Sequence, residues 1–266
     1  MARAAQQSGL EEGDLKARVA EVARRVQPNW LHELLLGLPV SDILTTNYDY
    51  SLTAGSSPAD AIIPGSTETK YSLFRTQQGQ GKRVWHMHGE AAAADTLLLG
   101  HDHYVRYSGR IQEYLRPSTR GLPEPHEWKA SSAVSPLAAG VEEYEDLEPS
   151  SLGYARYSWV DLFLTRETHI IGLRMDFSEI IIWWLLAVRA RREEQEKHGL
   201  DSTQLRHSGK VVWWECGPDP KDESYVDRRE VAEALGVEAQ FYKVSLEDYG
   251  AAYRRLVQDL RRRLSA

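Results

Sequence analysis

Thr45-Thr46-Asn47-Tyr48-Asp49 puts an amide and a carboxylate two residues apart where an apolar, β-branched run stops. Residues 40–46 read as a short buried strand, entered through Leu38-Pro39 and left into polar turn residues. Asn47 and Asp49 then stand at the strand's carboxyl end, the rim on which open parallel sheets collect their ligands. Arg83-Val84-Trp85-His86-Met87-His88-Gly89 repeats the arrangement, a second strand ending in a histidine able to act as acid or base and then in a glycine. The two strand ends are expected to face one site.

On either side, helical and strand patterns alternate. Residues 15–26 carry apolar and charged residues at helical spacing, Pro28-Asn29 breaks the pattern, and residues 30–36 resume it. Residues 51–69, rich in Ser, Gly, Pro and Thr, read as a connection. Residues 70–75 and 82–88 flank Gln78-Gly79-Gln80-Gly81, which predicts a hairpin. Residues 101–115 have helical spacing with a Tyr and Arg face, and residues 116–152, rich in proline and acid, read as a lid, an insertion or a surface loop.

Residues 168–171 form a strand pattern running into Gly172. Asp176 followed by Glu179 predicts a capping box opening a helix over 177–197. A buried strand at 210–214, a helix at 228–235 closed by Gly236, a strand at 239–244 and a last helix at 246–264 complete the chain. This alternation predicts an α/β fold: one Rossmann-like, mainly parallel sheet with right-handed crossovers and helices on both faces, in a single domain over residues 1–266.

Composition narrows the function. A chain of 266 residues with 42% hydrophobic content is long enough for one sizeable core. A formal charge of −7 argues against a nucleic-acid-tracking surface, and Arg261-Arg262-Arg263 falls in a last helical turn, where cations offset the helix dipole. The longest apolar run, residues 180–188, is far short of a membrane span of roughly 20 residues, and residues 1–7 hold no apolar signal core. Cys216 is the sole cysteine, which excludes internal disulfides and four-cysteine zinc modules. A cytoplasmic protein with no membrane or nucleic-acid partner is expected.

In their order along the chain, TTNYD, HMHG and Ile170-Ile171-Gly172-Leu173-Arg174-Met175-Asp176 resemble the sirtuin family. The likeness runs from about residue 31 onward. It is nearer to prokaryotic sirtuin-like domains that cleave NAD, several of them in defence against phage, than to the protein deacylases, many of which carry the zinc module absent here. The resemblance implies a sirtuin-like fold and NAD as substrate or ligand.

His88 has the ordinary histidine pKa range and the strand-end position of a general base. The resemblance implies that it is the catalytic histidine, taking a proton from a ribose hydroxyl or from water. Asn47 and Asp49 could be no more than an Asx turn. The resemblance instead sets Asn47 beside the reacting ribose and Asp49 on the nicotinamide amide, with Thr46 standing where sirtuins carry glutamine. Gly172 and Arg174 occupy the place of a Gly-Thr-Ser turn that touches phosphate and ribose. Arg174 either binds phosphate or pairs with Asp176.

Glu215, at the end of the next strand, matches a position facing the adenosine half. Trp183, Trp184, Trp213 and Trp214 read as core or interface packing. Gly79-Gln80-Gly81-Lys82 lacks Walker spacing. The Gly-Ala-Gly loop that opens sirtuins has no counterpart before Asn47. Either the loop is lost or the natural start lies upstream, and the phosphates then fall to Arg174, to residues 116–152, or to a neighbouring subunit of a homo-oligomer or partner.

Two rival functions fit the same residues. One is a catalytically weak or inactive sensor that binds NAD or ADP-ribose without cutting it. The other is a metal-dependent hydrolase built on His86, His88 and His101-Asp102-His103, although the pattern lacks HxHxDH.

Overall fold

The structure, a computed structural model, describes residues 11–53, 70–116, 133, 135–136, 157–198, 208–245 and 248–265. Most of the segment 116–152 therefore lies outside the described residues, as does most of the connection at 51–69. The chain divides into two compact units, residues 1–161 and 162–266, each with its own three-stranded sheet. It is an α/β protein in which the described strands fall into two small sheets rather than the single sheet expected.

The first unit opens with α1 (Glu12–Arg24) and α2 (Trp30–Leu36). The break between them is a reciprocal cap: Asn29 Oδ1 accepts from the Leu31 amide at 2.9 Å, and His32 Nδ1 accepts from the Asn29 amide at 3.0 Å. Strand β1 (Asp42–Thr45) pairs parallel with β3 (Lys82–His86), and β2 (Thr76–Gly79) pairs antiparallel with β3. Asp42 fixes the β1–β3 register by accepting from Arg83 Nε and Trp85 Nε1, both at 2.8 Å.

The hairpin exists, but its first strand is Thr76–Gly79, not residues 70–75. Gln80 and Gly81 make the two-residue turn, both at left-handed φ. A 3₁₀ turn at Ala94–Thr96 and α3 (His101–Tyr114) follow. Ala20 and Ala23 of α1 pack with Ala91 and Leu97, and Tyr48, Tyr50 and Leu99 cover the cluster. This small apolar core takes Tyr48 and Tyr50 from the turn after β1 and Ala91 from the segment after β3. At the unit's end, the Asp161 carboxylate is wholly buried and accepts from Tyr114, Ser135 and Ser158, and burial raises its pKa against those bonds.

The division falls within α4 (Trp159–Thr165). The second sheet is all parallel, in the order β4 (Arg166–Ile171), β5 (Ser208–Gly217), β6 (Val237–Lys243), with α5 (Ile180–Lys197) and α6 (Glu223–Ala234) as the crossovers and α7 (Tyr249–Leu264) after β6. Its central strand is buried through Val211, Val212, Trp213 and Trp214, which bears out the packing role read for the last two. Trp183 and Trp184 are half-buried.

Arg189 of α5, 2% exposed, donates to the carbonyls of Phe163, Arg166 and Gly209, so a buried guanidinium is satisfied by backbone acceptors from three segments. Arg263 of α7 forks onto Glu238 of β6, a more specific role than offsetting a dipole. The expected capping box is absent. Asp176 Oδ1 accepts from Ser178 in a local turn, and α5 begins only at Ile180, with Glu179 as its uncapped leading residue. Met175, at φ 51°, kinks the chain there.

Candidate functional site

Because β1 and β3 are parallel neighbours with Thr45 opposite His86, their carboxyl ends emerge side by side. The pairing continues past the strands, with the Met87 amide donating to the Thr45 carbonyl at 3.0 Å. Thr46, Asn47 and Asp49 leave one strand while His88 leaves the other. All four belong to the first unit.

Asn47 is exposed. Its backbone is held at both ends, the amide donating to Thr45 Oγ1 at 3.1 Å and the carbonyl lying 3.3 Å from His86 Nδ1. Its side-chain amide takes no hydrogen bond from a described residue. Asp49 forms the Asx turn, Oδ1 accepting from the Ser51 amide at 2.8 Å. Thr46 is half-buried.

His88 is 3% exposed. Burial alone pushes its pKa down to about 4, so the imidazole is neutral and an acceptor at physiological pH. Tyr104 of α3 stands over it, Oη 3.4 Å from Nδ1 and the rings edge-on at 5.4 Å. Gly89 adopts φ +94°, and a Cβ there would lie 2.3 Å from the Thr96 carbonyl oxygen, so the turn after His88 accepts no side chain without backbone movement.

Beneath these residues lies a polar network that the sequence reading missed. Glu90, 3% exposed, accepts from Arg75 Nη1 at 2.9 Å, Gln77 Nε2 at 2.6 Å and Tyr50 Oη at 3.3 Å. His86, 2% exposed, lies edge-on to Tyr50 at 5.8 Å, and its pKa falls through burial despite the opposing pull of Glu90. The signal that could have found this network is the run of polar residues at 75–78, too polar for a strand buried by apolar packing alone. The Tyr face read on α3 was the visible trace of Tyr104.

Among the described residues, His86, His88, His101 and His103 do not form a metal set. His88 lies beyond the end of β3 rather than on a shared strand face with His86. His101 and Asp102 are exposed, and His103 binds Glu12 while accepting from the Leu99 and Gly100 amides. Among the described residues no group of three His, Cys, Asp or Glu is placed to hold a metal ion. No helix of the described residues is long and apolar enough to cross a membrane.

The remaining candidates belong to the second unit. Gly172, at φ +69°, follows β4, and nothing lies nearer to a Cβ built there than Tyr253 Oη at 3.9 Å. Arg174 is exposed and, among the described residues, makes no ion pair with Asp176. Glu215 of β5 is 7% exposed, and burial raises its pKa while Arg228 and Arg174 draw it back.

Over 86 residues the chain is 36% identical to a protein of Acinetobacter baumannii (strain 532279) named NAD(+) hydrolase ThsA, a stretch covering 32% of this chain and 17% of that protein. The chain thus matches a minor part of that relative's length. No family model matches the chain, and no solved structure matches it.

Proposed function

We propose that this chain hydrolyses NAD to nicotinamide and ADP-ribose at a sirtuin-like site, as a cytoplasmic protein of antiviral defence. On this reading residues 1–266 make one sirtuin-like domain of Rossmann type. The observation that carries the reading is the pairing of an exposed Asn47 with a neutral His88 at adjacent parallel strand ends. The partial likeness to a protein named as an NAD(+) hydrolase supports it.

The reaction breaks the bond between nicotinamide and ribose C1′. Positive charge develops on the ribose, and water adds at C1′ with loss of a proton. The neutral imidazole of His88 accepts that proton. Asn47, whose backbone is held at both ends and which is exposed, holds the water and offers its carbonyl oxygen to the developing charge. Asp49, with Oδ1 occupied by Ser51, keeps Oδ2 for the nicotinamide amide, and Thr46 lines the same turn. Gly172 and Arg174 are assigned to the diphosphate and Glu215 to the adenosine ribose.

One observation favours a second reading, a sensor that holds NAD or ADP-ribose uncut: the 3% exposure of His88. Incubating purified protein with NAD and separating the products discriminates the two. Equal amounts of nicotinamide and ADP-ribose are expected. NAD bound but recovered intact would favour the sensor, and absence of NAD binding would refute both.

A further inference from the structure

Glu90 sits two residues after His88 and is almost wholly buried, so it is not placed to touch a ligand. Its carboxylate nevertheless gathers three donors from two other segments: Arg75 and Gln77 at and just before β2, and Tyr50 from the turn after β1. Two of these partners, and Glu90 itself, are held in turn. Tyr50 Oη accepts from the Ala92 amide at 2.6 Å, Gln77 Oε1 accepts from Thr53 Oγ1 at 3.1 Å, and the Glu90 amide donates to Thr96 Oγ1 at 3.1 Å.

Stability does not account for such an arrangement, because apolar residues of similar volume often hold a core as well as a buried ion pair does. What a satisfied polar network supplies is a single geometry. The geometry fixed here runs in two directions from one carboxylate. Toward Asn47, Tyr50 is three residues along the same turn and lies against His86, whose Nδ1 lies 3.3 Å from the Asn47 carbonyl. Toward His88, the link is the rigid Gly89 turn closed on Thr96.

We propose that Glu90 is a positioning residue for nicotinamide cleavage, locking the Asn47 turn to the His88 turn through Tyr50, Arg75 and Gln77. The proposal rests on the hydrolase reading above. Glu90→Gln keeps the shape but leaves one acceptor oxygen where three donors converge, so the Tyr50 link loosens. A misplacement of about 1 Å can cost about 100-fold in rate.

The test compares wild type, Glu90→Gln and Tyr50→Phe, each verified as folded by circular dichroism, in steady-state nicotinamide release and in amide hydrogen exchange. Both variants are expected to lose roughly 10- to 100-fold in kcat with KM changed less than about threefold, and Glu90→Gln, which keeps the Tyr50 hydroxyl that accepts from Ala92, is expected to speed exchange at Ala92 by about tenfold or more. A purely structural role would lower the unfolding temperature and leave kcat of the folded enzyme alone. Tyr50→Phe decides the matter if Glu90→Gln does not fold. Wild-type kcat in either folded variant overturns the proposal. If wild type itself releases no nicotinamide, the hydrolase reading fails separately, and exchange in Glu90→Gln then decides: protection lost at Ala92 upholds the lock, and protection kept removes it.

Discussion

His88 is a neutral imidazole because burial holds its pKa near 4, below the ordinary 6.5. Between those values the unfolded chain binds a proton that the folded chain refuses. The stability contributed by neutral His88 is therefore full above pH 6.5 and is lost as pH falls toward 4. His86, lowered by the same cause, adds in the same direction. Thermal unfolding followed from pH 7 to 4.5 should show falling stability, with a shallower fall in His88→Asn. The acid limb of nicotinamide release should lie near pH 4 rather than 6.5. Asn47→Ala should lower kcat more than it weakens NAD binding, since stabilisation made in the transition state appears in kcat. A raised KM with unchanged kcat would make Asn47 a binding residue only. The strand-end positions of Asn47 and His88 were legible in the sequence, because apolar runs ending in polar turns mark them. The burial of His88 and the role of Glu90 were not, since a glutamate in a Gly-Glu-Ala run looks like surface until Arg75 and Gln77 are brought against it.

Strand β2 was misplaced in the sequence for a related reason. Thr76-Gln77-Gln78 carries no apolar stripe; it is buried by side-chain hydrogen bonding to Thr53 and Glu90, which a hydropathy pattern does not register. The helices α2 and α3 were legible because spacing and end signals agreed over their length. At α5 they conflicted: Asp176 and Glu179 have capping-box spacing, but the left-handed Met175 delays the helix and Asp176 serves the turn instead. The turns can be tested against each other. Gly81, at φ +77° with nothing within 4 Å of a built Cβ, should tolerate alanine at a cost of about 1–2 kcal/mol. Gly89→Ala adds a backbone collision to the same strain and should cost about 3 kcal/mol or more by urea unfolding. Equal losses would mean that the Gly89–Thr96 approach relaxes freely.

Alternating strands and helices identified the α/β class, but the number of sheets depends on which strands pair, and no local pattern records that. The described strands pair as β1-β3-β2 and β4-β5-β6. In the second unit Arg174 is exposed, and the phosphate role proposed for it predicts a selective defect. Arg174→Ala should weaken NAD binding by roughly tenfold or more in calorimetry, the loss of one charge-assisted contact of about 1.5–3 kcal/mol, while leaving nicotinamide riboside, which has no diphosphate, little changed. Equal effects on both ligands would move the phosphate site elsewhere. The account as a whole rests on His88 acting on NAD, and nicotinamide release by wild type and His88→Ala, compared at equal concentration with their unfolding curves, decides it. The account predicts that the variant stays folded and loses about 100-fold or more in rate, the contribution of a positioned general base. Cleavage by folded His88→Ala at the wild-type rate would contradict it.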